Sequence, residues 1–135
     1  MSAPILEVAA NSVTAALAAE AGGAARVELC SALEVGGLTP SHAAIAIAME
    51  RLQIPVHVLI RPRAGDFVFD DLECEVMRGD IEICKALGCT GVVIGVLDPD
   101  SGVDVDRCRK LVDTARGMSV TFHRAFDFTR DPFNA

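Results

Sequence analysis

Five short β-prone runs recur along this 135-residue chain, and four of them place polar groups on alternate residues. They are ILEVAA (5–10), RVELCS (26–31), PVHVLIR (55–61), GVVIGVL (91–97) and SVTFH (119–123). Measured between residues 6, 26, 56, 92 and 120, successive runs lie 20, 30, 36 and 28 residues apart. Each interval has room for one helix with its turns. VTAALAAEA follows the capping pair Asn11-Ser12 and stops at Gly22-Gly23, and HAAIAIAMERL follows Thr39-Pro40-Ser41. Residues 70–88 and 104–117 supply the third and fourth helices. Connections of this length predict parallel strands joined by right-handed helical crossovers.

Two architectures use uninterrupted βα units: an open doubly wound sheet and a closed eightfold barrel. The alternation separates them. Leu6 and Val8 oppose Glu7 and Ala9; Val27 and Leu29 oppose Glu28 and Cys30. Val56, Val58 and Ile60 oppose His57, Leu59 and Arg61, and Val120 and Phe122 oppose Thr121 and His123. A doubly wound sheet is covered by helices on both faces and reads as continuous apolar runs. One consistently polar face suits the interior of a barrel that leads to a site. The expectation is therefore an α/β fold of the TIM-type (β/α)8 kind. A full barrel needs about 250 residues, so residues 1–135 are expected to form a single partial domain. That domain is the N-terminal half, with four βα units and strand five; TRDPFNA then approaches a fifth helix. Such a half exposes the edges of strands one and five, and predicts aggregation or pairing with another copy.

Composition narrows the partners. Hydrophobic residues make up 51% and charged residues 23%, a globular balance. A formal net charge of −7 argues against nucleic acid and anionic membranes. No apolar run approaches the roughly 18 residues of a membrane span. The opening MSAPILEVAA lacks a basic stretch and reaches Glu7 at once, unlike a secretory leader. Five dispersed cysteines, at 30, 74, 84, 89 and 108, without a CxxC pair suit reduced thiols in a cytoplasm. Four of them fall on helix stripes or in a loop, where they read as packing.

The blocks VELCSALEVGGLTPS, IPVHVLIRPRAGDF and VTFHRAFDFTRDP, with the lead-in LEVAANSVTAALAAEAGGAARVELC, resemble the copper homeostasis protein CutC family in order and spacing. The resemblance runs over essentially the whole chain. It implies a TIM-type barrel of roughly twice this length, cytoplasmic, assembled as a dimer or tetramer, with a role in copper handling and no established catalysed reaction. One position departs from it: many members carry a Cys where this chain has Ala9. Cuprous ion prefers thiolates, with imidazole as a second donor. Here Cys30 alone remains of that thiol pair, with His123 the nearest imidazole candidate.

The polar face offers a second chemistry. Glu28 and His123 are acid–base candidates, because imidazole titrates near neutrality and carboxylates are tuned by burial. Arg61, Arg63 and Arg124 follow strands three and five, and loops after barrel strands open at one mouth. Guanidinium groups gathered there bind a carboxylate or phosphate bidentately. Structural alternatives stand beside each assignment. Cys30 equally serves as a small buried apolar residue, Arg61 as a partner for Glu28, Arg63 as a partner for Asp66, and His57 as a buried histidine bonded to Glu7 or Glu28. Two functions follow: Cu(I) binding through Cys30 and His123, or an enzyme acting on a small anionic molecule.

Overall fold

A computed structural model describes residues 3–135; Met1 and Ser2, the first residues of the opening inspected for a leader, lie outside the described residues. The β-prone runs form five strands: β1 (Glu7–Ala10), β2 (Arg26–Leu29), β3 (Val56–Leu59), β4 (Gly91–Ile94) and β5 (Ser119–Phe122). Between them lie α1 (Val13–Ala21), α2 (His42–Arg51), α3 (Asp71–Ala86) and α4 (Val105–Thr114). All strand pairs are parallel, and the order across the sheet is β1-β2-β3-β4-β5. The chain is thus an α/β fold of repeated βα units.

Local chemistry explains where the helices begin. The Ser12 and Ser41 hydroxyls accept from the N–H groups of Ala15 and Ala44 at 3.0 and 3.1 Å. Asp70 and Glu73 form a reciprocal capping box on α3, with bonds of 2.8 and 3.1 Å. Asp104 accepts from the Arg107 N–H at 3.1 Å to open α4.

Because the strands are ordered sequentially, every crossover steps in one direction, and right-handed connections then put every helix on one face. Packing agrees with this. Val27, Leu29, Val58, Ile60, Val92 and Val96 share one core with Ala16, Ile45, Met77, Ile81, Cys84 and Leu111 from the four helices. The largest of these side chains are fully buried. The opposite face keeps the polar alternates of the four strands that have them and a separate small cluster, Cys30, Leu59 and Val93.

After β5, Phe126 and Phe128 are 43% and 57% exposed, although the Phe128 ring lies 5.7 Å from that of Phe67. Residues 124–128 form a 3₁₀ turn, and its tight repeat buries Ala125 instead. A second 3₁₀ turn, Leu33–Val35, shapes the loop after β2. No helix among the described residues is long and apolar enough to cross a membrane.

Candidate functional site

Register arranges the helix-free face in rows. Ala9, Glu28, His57, Gly91 and Ser119 are successive partners across all five strands. One pleat further along, Leu59, Val93 and Thr121 are partners, with Cys30 packed against the first two. Beyond the ladder, at the C-terminal ends of the strands, stand Arg61 and His123. A cavity of about 260 Å³ opens here, lined by Glu28, Arg61, Phe67, Thr121, His123 and Arg124 over a floor of Leu59 and Val93. Of the six candidates, it brings together Glu28, Arg61, His123 and Arg124. It leaves out Cys30 and Arg63.

Arg61 is only 3% exposed. Its Nη1 donates to the carbonyls of Val35 and Gly37 at 2.7 and 3.0 Å, and its Nη2 to Gly65 O at 2.8 Å. Its backbone N–H donates to the Thr39 hydroxyl at 2.8 Å. No acceptor meets Nε among the described residues. The guanidinium lies over the Phe67 ring, 4.9 Å from its centroid. Carbonyl dipoles hold this cation, therefore, and among the described residues no carboxylate neutralises it; the pairing with Glu28 offered as an alternative does not occur. Burial, then Arg124 and Arg63, lower its pKa from the ordinary arginine value. Gly36 makes the arrangement sterically feasible. It has φ +90°, and a Cβ there would collide with the Arg124 guanidinium and sit 3.2 Å from Arg61 Nη1.

His123 ends β5 and opens the following 3₁₀ turn. Its Nδ1 accepts from the Ala125 N–H at 3.1 Å. Its Nε2 is buried without a partner among the described residues. The ring packs 5.1 Å from Phe67 and lies against Gly95, where a Cβ would overlap it. Burial, followed by the charges of Arg61 and Arg124, lowers the pKa to about 4, so the ring is neutral at physiological pH.

Glu28 is shifted the other way. Burial and the nearby Glu7 carboxylate raise its pKa above the ordinary carboxylate range. Glu7 itself pairs with Arg26. His57 sits beside Glu28 in the register and is 3% exposed, but neither acid bonds its Nδ1, which has no partner among the described residues. A Cβ on Gly91 would lie 2.8 Å from its ring. Burial and then Arg26 lower its pKa. His57 is a packed histidine away from the mouth.

The remaining two candidates have other partners. Cys30 is 2% exposed; its thiol donates to Ala10 O at 3.5 Å, and burial, then Glu28, push its pKa up to about 11. It is a thiol at neutral pH, not a thiolate. Arg63 pairs with Asp66 at 3.1 Å and with Glu73 at 2.5 Å, stacking over Phe69. It ties the loop after β3 to the start of α3.

Sequence reasoning did not single out Phe67 or Gly95. Phe67 had no visible signal, since loop aromatics are common. Gly95 had one: an isolated glycine in an apolar strand marks close approach by another group.

Residues 4–135 match the family model described as CutC family. The chain belongs to the CutC family. A CutC family protein of Xanthomonas campestris pv. campestris (strain 8004) is 61% identical over 127 residues, 94% of this chain and 53% of that protein. One from Xylella fastidiosa (strain Temecula1) is 60% identical over 127 residues, 94% of this chain and 48% of that protein. Among solved structures, the CutC protein of Streptococcus agalactiae, whose name includes the words copper homeostasis, matches with a TM-score of 0.87 at 36% identity. That match covers 93% of this chain and 62% of the other. The chain spans about half the length of the curated relatives it matches.

Proposed function

We propose that these βα units form part of an eight-stranded barrel whose mouth binds a small anionic molecule. Sequential parallel strands with helices on a single face favour the barrel. The anion reading rests on one observation: Arg61, buried and without a carboxylate partner, stands beside Arg124 in a chain of net charge −7. With 19 acidic residues available, leaving a buried cation to carbonyl dipoles is costly, unless a ligand supplies the charge. Glu28 is the one carboxyl group lining the cavity among the described residues, and burial and Glu7 raise its pKa. The five free cysteines suit a reducing cytoplasm.

The test is isothermal titration of the full-length protein with inorganic phosphate and with acetate. At least one binds, and Arg61→Met and Arg124→Met each weaken it about tenfold, as loss of a charge-assisted contact implies. Arg124 is exposed and its side chain anchors no loop by hydrogen bonds among the described residues, so its variant remains informative if Arg61→Met unfolds. Unchanged affinity in Arg124→Met and in every folded Arg61 variant, or no binding by wild type, defeats the reading.

A copper role has the relatives' name in its favour, but the donors in this chain fit it poorly. Cys30 is a protonated thiol packed against Leu59 and Val93, and His123 has one ring nitrogen engaged. Among the described residues no three His, Cys, Asp or Glu side chains converge. Copper handling by the whole protein would draw its ligands from elsewhere.

A further inference from the structure

We infer that the cavity takes a small 2-oxo carboxylate, with His123 acting as a neutral Nε2–H donor to the keto oxygen rather than as a base. The inference rests on the anion reading above and adds to it what the ligand carries next to its negative charge. His123 Nδ1 accepts a hydrogen bond from the Ala125 N–H, so it holds a lone pair and no proton. The one proton of the neutral ring is then on Nε2, a buried donor with no acceptor among the described residues. Arg61 also has donor capacity left: three of its four terminal N–H groups go to carbonyls, and its Nε–H has no partner among the described residues.

Both groups line one cavity and both pack against Phe67. These buried N–H donors, neither able to accept, call for ligand oxygen that accepts and donates nothing. A carbonyl oxygen meets that requirement; a hydroxyl would leave its own proton unpaired. Arg124 adds an open guanidinium fork, whose geometry matches a planar carboxylate. Leu59, Val93 and Phe67 give the carbon skeleton an apolar floor. The volume, about 260 Å³, suits a ligand of a few heavy atoms. Carboxylate, adjacent carbonyl and short apolar tail together describe a 2-oxo acid.

Calorimetry on the full-length protein with pyruvate and propionate isolates the carbonyl, because the two share a carboxylate and a three-carbon skeleton. Pyruvate is expected to bind about tenfold more tightly, the worth of one hydrogen bond between buried partners. His123→Phe, which keeps a ring over Gly95 without the donor, brings pyruvate down to the wild-type propionate affinity. Nitrogen-15 NMR of the wild-type ring supplies a readout independent of that variant: Nε2 is protonated and Nδ1 is not. Equal affinities for the two acids overturn this inference and leave the anion reading standing. Failure of both acids, phosphate and acetate to bind ends both. A proton found on Nδ1 overturns the donor role.

Discussion

Two glycines on β4 and its extension make room for two histidines. Gly91 accepts the His57 ring and Gly95 the His123 ring, each at a distance no Cβ tolerates. The glycines therefore matter for space. Gly95→Ala is predicted to cost about 1–3 kcal/mol, the usual penalty for overpacking, as the ring is forced off its position. Urea denaturation measures this, and a loss under about 0.5 kcal/mol would show that the ring moves freely. The sequence made His123 legible as a strand-end polar residue on the helix-free face. It did not show that the ring would be held neutral, because its burial and the Arg61 guanidinium come from elsewhere in the chain. Arg61 and Arg63 make the same point two residues apart. One faces carbonyls and the cavity; the other takes the Asp66 that RPRAGDF offered it and adds Glu73, which the segment does not contain.

At the level of elements, the strand and helix pattern was almost wholly legible. Alternation fixed the faces, and the caps Ser12, Ser41, Asp70 and Asp104 mark where helices begin. Both 3₁₀ turns escaped notice, since segments of three and five residues carry little periodic signal. The outer strands have a consequence of their own. β1 and β5 each pair on one side only, and every residue of β5 is exposed or half-buried. Unpaired parallel edges recruit other strands. The 135-residue chain alone is predicted to self-associate, as sedimentation velocity would report; a sharply melting monomer would contradict the open-edge argument.

For the molecule as a whole, the helix-covered face holds the main core and the bare face carries the candidate site. The copper question belongs at this scale, because no donor set converges within the described residues. In a cuprous-ion competition titration on the full-length protein, Cys30→Ala is predicted to bind as wild type does, since a thiol raised to about 11 is a weak ligand. A clear loss of affinity in Cys30→Ala would instead restore Cys30 as a ligand and revive the copper reading.

The order of elements and the direction each strand residue faces were written in the sequence, because side-chain alternation and helix capping are local properties. Tertiary structure alone decided which groups meet. Register and loop paths set those meetings, and the backbone carbonyls of Val35, Gly37 and Gly65 that hold Arg61 leave no mark on residue identity.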